Sequence, residues 1–352
     1  MKKEIRSLTG VRGIAALYVA CYHFLEPFHA SWNPLFLHFA QHGYNSVDLF
    51  FILSGFVLTL SSKKLFDNGF SAKPYGTFMK RRFARIYPIY VVLTVVYFIL
   101  KFKGKGWGSF FINLTLLQIL FPNADGIVGP SWSLSAEWIA YLLFPLFLFF
   151  VYRVRNRFWP VLTLLLSFGL LFFVAHANSE WMNGFQPVPP LNGYLDRFRM
   201  PSALFRCFAE YVIGITLYYL YATYYPNYSK YYHYPSLPAA LLVIVCLLIH
   251  NSDLALVLGF TLLVFSCSTD TGIVARFLGW QPIYFLGEVS YSLYLIHEIV
   301  DRTLKYFYKH HFQGSYLNAP VILIYLTAII FLSYLGYRFV EVPAREYLRR
   351  KI

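Results

Sequence analysis

Eleven apolar runs of 13 to 22 residues occupy most of the 352-residue chain, and short polar connections separate them. A helix needs about 20 apolar residues to cross a bilayer, with a usual range of roughly 17–25. Only 13% of the residues are charged and 58% are hydrophobic, whereas a soluble domain carries about 25% charged residues. The chain is therefore predicted to be an all-α integral membrane protein with little mass outside the bilayer.

The runs also give a first count of the membrane spans. They fall at residues 8–26, 46–62, 83–101, 109–121, 132–152, 159–176, 204–222, 236–250, 253–268, 283–301 and 317–338. Residues 109–121 are too short to cross, and glycine and proline flank them, so we expect a re-entrant or interfacial segment there. The runs at 236–250 and 253–268 are also short, and we expect them to cross as a tight helical hairpin. Ten crossings remain.

The basic residues orient these spans, because cytoplasmic loops of membrane proteins are enriched in Lys and Arg. With ten spans and a cytoplasmic N-terminus, 21 of the 30 Lys and Arg residues fall on the cytoplasmic side and nine on the outside. Counting 109–121 as a further span would move the arginine cluster at 153–157 to the outside. We therefore predict about ten transmembrane helices with both termini cytoplasmic, in a single domain covering 1–352.

The same charge distribution excludes other classes of protein. The formal net charge of +14 lies mostly in short loops between apolar runs, which indicates membrane topology rather than a nucleic-acid surface. Lys2 and Lys3 precede a run that Arg12 interrupts, so this run is interpreted as an uncleaved first span and not as a signal peptide. Metal binding is not expected, because the four cysteines lack CxxC spacing and the pair His38 and His42 has no carboxylate nearby.

Arg12 and His23 lie inside the first apolar run. Charged and titratable groups in such a run usually face a protein interior or a water-filled cavity. Arg12 and His23 are separated by almost three helical turns, so both side chains are expected on one helix face, roughly 16 Å apart along the axis. Arg12 is equally compatible with a side chain that extends to the lipid headgroups.

Two carboxylates, Asp48 and Glu137, are expected near the outer side at a depth similar to that of His23, because their runs point inward in the ten-span topology. A histidine paired with a carboxylate can take a proton from a hydroxyl nucleophile near neutral pH. Arg82 and Arg85 lie at the opposite, cytoplasmic mouth. Clustered guanidinium groups suit phosphates, although the simpler interpretation of these arginines is a topology signal.

Seven segments of the chain match, in order and spacing, the acyltransferase-3 family of membrane O-acyltransferases. They are LTGVRGIAALYVACYH (8–23), VDLFFILSGFVLT (47–59), RRFARIYP (81–88), SWSLSAEWIAYLLFP (131–145), RCFAEYVIGI (206–215), LGEVSYSLYLIH (286–297) and YRFVEVPAREYLRR (337–350). The first contains the Arg-x10-His spacing of the family. Each segment is weak alone, but together they are specific, and the chain resembles the family along most of its length.

The resemblance implies a ten-helix enzyme that takes an acyl group, usually acetyl, from cytoplasmic acyl-CoA. It delivers the group to a saccharide hydroxyl on the outer side of the bacterial inner membrane. Acyl-CoA, with acetyl-CoA as the expected form, is then a donor substrate, and no permanently bound cofactor is expected. The implied partners are acyl-CoA, a cell-surface or lipid-linked glycan, and the lipid bilayer.

The site residues follow from the two arguments together. His23 is assigned as the base, oriented by Asp48 or Glu137, and the choice of carboxylate stays open, as does direct transfer against an acyl-histidine intermediate. The donor is expected to bind Arg12, Arg82 and Arg85. The acceptor side is expected to contain Arg206, Glu210, Tyr291, Tyr294 and His297. Because Arg206 and Glu210 are four residues apart, a structural ion pair is favoured for them over acceptor binding.

The competing interpretation is a multi-span secondary transporter for an anionic small molecule. Such transporters also carry intramembrane charges around a central site, but many of them are built from repeats with broken helices in matching halves. The sequence contains no convincing repeat of that kind, and the acyltransferase is therefore preferred.

Overall fold

The computed structural model describes residues 4–26, 33–101, 106–121, 126–154, 156–177, 179–185, 193–228, 231, 233–311 and 319–350. This part of the chain is helical and contains no strand, so the prediction of an all-α protein is confirmed. Several charges that were used to orient the spans lie outside the described residues, together with both chain ends. They are Lys2, Lys3, Arg155, Lys230 and Lys351.

Fifteen α-helices lie within the described residues. The first eight are α1 (Arg6–Leu25), α2 (Pro34–Gln41), α3 (Ser46–Ser62), α4 (Ala72–Lys101), α5 (Trp107–Leu114), α6 (Ser131–Leu142), α7 (Phe144–Tyr152) and α8 (Trp159–His176). The other seven are α9 (Ser202–Tyr228), α10 (Ser236–Leu247), α11 (Asp253–Cys267), α12 (Gly272–Leu278), α13 (Gln281–His311), α14 (Ala319–Gly336) and α15 (Val342–Arg349). A five-residue π-helical turn, Tyr337–Glu341, joins α14 to α15.

Six helical stretches of the described chain are long and apolar enough to cross a membrane. They are Arg6–Leu25, Pro34–Phe66, Ala72–Leu100, Trp159–His176, Ser202–Tyr224 and Pro320–Leu348. The number rises to eight if two bent pairs each form one span, α6 with α7 at 61° and α11 with α12 at 93°. The fold is thus that of a multi-pass membrane protein. The two further spans expected from the sequence correspond to α10, which has only 12 residues, and α13, which carries several charges.

The segment expected not to cross, 109–121, forms α5 and a separate 3₁₀ turn at Gln118–Leu120. The eight residues of α5 extend about 12 Å, which is less than half of a hydrocarbon core of about 30 Å. Between the two pieces Leu116 has a φ of 58°, a left-handed conformation that ends the helix. The segment is therefore too short and too interrupted to form a span of its own.

Helices α1 and α13 run parallel and pack closely. Arg6 Nη2 donates to Gln281 Oε1 near their first turns, and His23 stacks on His297 farther along both helices. Gly13 and Gly287 meet where the helices touch, and a Cβ on either one would overlap the backbone of the other helix. Small residues allow this kind of close approach between helices in membranes.

Helices α3 and α9 form a second parallel pair. Asp48 contacts Arg206 in their first turns, and two turns farther on a Cβ on Gly55 or Gly214 would overlap the facing backbone. The functional site described below lies between this pair and the α1–α13 pair, where α4 and α6 complete its wall.

Candidate active site

A cavity of about 270 Å³ lies between α1, α3, α4, α6 and α13. Its charged lining consists of three arginines and two carboxylates, namely Arg12, Arg82, Arg85, Glu4 and Glu137. Apolar side chains of α3 form the largest part of the remaining wall. The structure thus brings the three arginines that the sequence assigned to the donor into one cavity, although Arg12 and Arg82 are 70 positions apart in the chain.

Arg12 is held by two hydrogen bonds to α13. Its Nε donates to Ser290 Oγ at 2.8 Å, and its Nη2 donates to the Gly287 carbonyl oxygen at 2.8 Å. These bonds use two donors of the guanidinium group, which has five in all. The remaining donors are available to an anion in the cavity.

The arginines of α4 have different surroundings. Arg85 Nη1 lies 2.9 Å from Glu341 Oε1, a carboxylate that the π-helical turn places beside α4. The Arg82 guanidinium lies over the Phe78 ring at 5.8 Å. Its Nε is buried and has no hydrogen-bond partner among the described residues. A buried hydrogen-bond donor without a partner is costly. Arg82 is therefore the arginine best prepared to bind a ligand that accepts hydrogen bonds, such as a phosphate group.

Glu137 belongs to the arginine cavity. Ser54 Oγ donates to its Oε1 at 2.5 Å, and Tyr141 Oη donates to the same oxygen at 2.6 Å. Ser54, which contacts Glu137 from α3, lies six residues beyond Asp48, which is about 9 Å along the helix axis. The expectation that both carboxylates lie at one depth is therefore wrong, because the contacts of α6 place Glu137 deeper along α3.

Asp48 is paired with Arg206 in a fully buried ion pair. Arg206 Nε lies 2.5 Å from Asp48 Oδ1, and Nη2 donates to Oδ2 at 2.8 Å, so both carboxylate oxygens are used. Asn45 Nδ2 adds a third bond at 3.0 Å, and Glu210 Oε1 lies 3.8 Å from the same arginine. The favoured ion pair of Arg206 with Glu210 is present, but the bidentate partner is Asp48. None of these contacts indicates a binding site for the acceptor substrate.

A further carboxylate approaches this ion pair from the loop before α9. Asp196 interacts with the charges of Arg206 and Asp48. Burial raises the pKa of the Asp196 carboxyl above its ordinary value, and the nearby charge of Arg206 opposes that shift. The first turns of α3 and α9 thus lie within a cluster of buried charges.

His23 faces a second imidazole, His297 of α13. The ring centroids are 5.4 Å apart and the ring planes differ by 15°. The carboxylates close enough to act on His23 electrostatically are Glu26 and Glu298, and not the two proposed from the sequence. The structure therefore gives His23 a different neighbour from either expected partner.

Two tyrosines connect the cavity with the histidine pair. Tyr291 and Tyr294 both line the cavity, as expected for one face of α13. Tyr291 Oη donates to the Ile86 carbonyl oxygen at 2.8 Å, and Tyr294 Oη lies 2.8 Å from Ser133 Oγ. Tyr294 is one helical turn before His297, so the cavity ends within one turn of the histidine pair.

Sequence reasoning missed several polar residues of the site. They are Ser54, Ser133, Tyr141, Ser290 and Glu341, which contact the charged or aromatic groups described above. One signal was present in the sequence, because residues 287, 290, 291, 294 and 297 recur at spacings of three and four. That spacing marks one helix face, and this face is the one that α13 presents to α1 and the cavity.

No group of three or more His, Cys, Asp or Glu side chains in the described chain could hold a metal ion. The site offers guanidinium, carboxylate, hydroxyl and imidazole groups. Guanidinium groups bind phosphate, and neutral imidazole accepts protons.

Fold and site together define a multi-pass membrane protein in which an arginine-lined cavity, suited to an anionic ligand, ends beside two histidines. The chain belongs to the acyltransferase-3 family, since the family profile described as an acyltransferase domain matches residues 5–338. Family membership favours an acyltransferase over the transporter considered above.

Curated relatives carry names consistent with that family. An acyltransferase of Streptomyces mycarofaciens is 35% identical over 168 residues, covering 44% of this chain and 42% of the relative. The peptidoglycan O-acetyltransferase OatA of Listeria monocytogenes is 31% identical over 188 residues, covering 48% and 28% respectively. A putative O-acetyltransferase of Staphylococcus aureus is 22% identical over 383 residues, covering 98% and 58%. The chain spans less than two thirds of each of these relatives, and no solved structure matches it.

Proposed function

We propose that this protein is a membrane O-acyltransferase that moves an acyl group, most simply acetyl, from cytoplasmic acyl-CoA to a saccharide hydroxyl on the outer side. One observation carries the proposal: the arginine cavity ends one helical turn from the His23–His297 pair, in a chain of an acyltransferase family. The named relatives are bacterial, which supports a place in a bacterial cytoplasmic membrane.

For the topology we propose ten spans in one domain, with both ends cytoplasmic. Helices α10 and α13 supply the two spans beyond the eight recognised by length and apolarity. In that order α1 and α13 are the first and ninth spans, which must run parallel, and their contacts agree. Cysteine labelling tests this: Arg157→Cys should react from the cytoplasm and Asn251→Cys from outside. Labelling from the same side would contradict the ten-span order.

The donor is proposed to bind with its phosphates at Arg82 and Arg85. These two residues lie in the first half of α4 and line the cavity there. This part of α4 is on the cytoplasmic side in the proposed topology. The pantetheine arm would then extend past Arg12 towards Tyr294. Arginine suits this role, because the planar guanidinium group can form two parallel bonds to one phosphate.

The reaction requires no group beyond the two substrates and a base. The acceptor oxygen attacks the thioester carbon while its proton passes to a ring nitrogen of His23. The C–S bond then breaks, and the CoA thiolate takes the proton from His23 to leave as the thiol. The ester forms, and the histidine returns to its neutral state.

The activity is tested by mass spectrometry of surface glycans from cells that express the wild type or a variant. Wild-type cells should carry a glycan ester that is missing from cells expressing His23→Ala at equal protein level. His176→Ala is the matched control, since His176 is an exposed helical histidine of α8, and it should keep the ester. If His23→Ala also keeps the ester, the assignment of the base is wrong.

The donor site is tested by acetyl-CoA binding in detergent, measured by calorimetry. Changing Arg82 and Arg85 together to Lys keeps the charge but removes bidentate bonding, and affinity should fall roughly tenfold, about 1.4 kcal/mol. Changing Arg153 and Arg157 together to Lys is the same chemical change outside the cavity and should have no effect. Equal affinity in both double variants would leave the α4 arginines as topology charges.

A further inference from the structure

His297 is buried in a defined tautomer. Only 1% of its surface is exposed, and its Nδ1 lies 2.8 Å from the Tyr294 carbonyl oxygen. A carbonyl oxygen can only accept, so Nδ1 carries the proton and Nε2 carries a lone pair. Nε2 is buried and has no hydrogen-bond partner among the described residues. A buried acceptor left unpaired costs roughly 1–3 kcal/mol.

The position of this lone pair relative to His23 is fixed by both helix backbones. The contact between Gly13 and Gly287 brings α1 and α13 together, and the two imidazole rings stack beyond it. Lys305 Nζ donates to the His23 carbonyl oxygen at 3.1 Å and to Asp301 Oδ2 at 2.8 Å. The backbone of α1 is thereby tied to α13 on the far side of the ring pair.

The two carboxylates that the sequence offered as partners of His23 are bound elsewhere. Asp48 has both oxygens on Arg206, and Glu137 accepts from Ser54 and Tyr141 in the arginine cavity. An imidazole that takes up a proton becomes a donor at both nitrogens and therefore needs an acceptor. Nε2 of His297 is an unpaired acceptor on the ring that stacks on His23.

We propose that His297 is the positioning residue of His23. It holds the ring by stacking in the resting site, and its Nε2 accepts a hydrogen bond from His23 once that ring is protonated. This inference rests on the proposed acyl transfer with His23 as base. The proton still passes from the acceptor hydroxyl to His23 and on to the CoA thiolate, and His297 remains neutral throughout. A rotation of the His23 ring converts the stack into an N–H···N bond.

Two substitutions separate the lone pair from the stacking. His297→Phe keeps an aromatic ring beside His23 but has no hydrogen-bond acceptor. We expect kcat to fall about 10²-fold, with little change in the KM of the acyl donor or of the acceptor substrate. His297→Gln supplies an amide oxygen as acceptor and should stay within about tenfold of the wild type. A purely structural role predicts the opposite order, because Phe preserves the packing better than Gln.

His176→Phe is the matched control for these variants. His176 also has Nδ1 close to a carbonyl oxygen of the preceding turn, at 2.9 Å from Phe172, but it is exposed on α8 and should keep wild-type kcat. Thermal stability in detergent should be measured for all three variants. If His297→Phe is as active as the wild type at equal stability, or if it is more active than His297→Gln, the inference is overturned.

A readout that does not depend on acyl transfer separates this inference from the proposed function. Solid-state NMR of ¹⁵N-histidine protein in lipid, acidified until His23 is protonated, should show a coupling between a His23 nitrogen and His297 Nε2. The signal should be absent from His23→Gln and from His297→Phe. Acyl transfer without the coupling would overturn the positioning role alone. The coupling without acyl transfer would leave the contact established and overturn the proposed function.

Discussion

The helix pair α1–α13 and the helix pair α3–α9 both run parallel, and both approach closely at glycines, Gly13 with Gly287 and Gly55 with Gly214. Both pairs also bury charged groups. In α3–α9 the ion pair of Asp48 and Arg206 is closed, since each side chain is fully buried and the bidentate contact uses both carboxylate oxygens.

The α1–α13 pair leaves its polar groups partly open. Arg12 uses two donors on α13 and faces the cavity with the rest of its guanidinium group. His297 keeps a lone pair without a partner in the described structure. The same backbone arrangement thus supports a bidentate ion pair of Asp48 with Arg206 in one place. In the other place it supports polar groups that face a cavity or keep an unpaired lone pair.

The difference separates two uses of buried polarity. Where the groups satisfy one another, nothing is left for a substrate, and the pair fixes the position of the helices. Where donors and acceptors remain unpaired, the fold bears a cost that a bound substrate or a protonated intermediate can relieve. On this basis we propose α3–α9 as the supporting pair and α1–α13 as the functional pair.

The largest expected effect is on the closed ion pair. Arg206→Ala leaves the Asp48 carboxylate buried without its charge partner, which should destabilise the fold by about 3–5 kcal/mol. The thermal unfolding temperature in detergent should fall sharply, together with the amount of folded protein. His23→Ala should be near wild type in the same measurement. A stable Arg206→Ala protein would show that this pair does not support the fold.

A second prediction uses the glycines to sharpen the comparison. Gly13→Ala and Gly55→Ala each place a methyl group against a facing backbone, and overpacking of this kind costs about 1–3 kcal/mol. Both should lower thermal stability. Only Gly13→Ala should also lower the activity per folded molecule, because it shifts His23 relative to His297.

Gly169→Ala is the control for both glycine variants. A Cβ on Gly169 has open space around it, so neither stability nor activity should fall. Equal loss of activity per folded molecule from Gly13→Ala and Gly55→Ala would contradict the division between a functional and a supporting pair.

The smallest expected effect is that of Glu137→Gln. The amide oxygen can keep the bonds from Ser54 and Tyr141, while the cavity loses a negative charge that opposes its arginines. Acetyl-CoA should bind more tightly by about 1 kcal/mol, the upper range for a partly solvated charge pair, which is roughly fivefold. Calorimetric titration measures this change. Weaker binding, or a rate loss as large as that of His23→Ala, would place Glu137 in the reaction itself.

The sequence by itself determined the features that depend on neighbours along the chain. A run of about twenty apolar residues becomes a helix in lipid because its backbone groups have no other partner there. The position of Arg12 and His23 on the same face of α1 follows from the helical repeat. The failure of 109–121 to cross follows from its length. These predictions needed only composition and spacing, and the family motifs added the chemistry.

Only the tertiary structure decided which buried polar groups meet. Asp48 and Arg206 are 158 positions apart in the chain, and a buried charge is stable only beside a complementary one. The partner available to it depends on how α3 packs on α9, not on the sequence of either helix. For the same reason His23 faces His297 instead of a carboxylate: the glycine contact of α1 with α13 fixes that neighbour, and spacing within α1 cannot encode it.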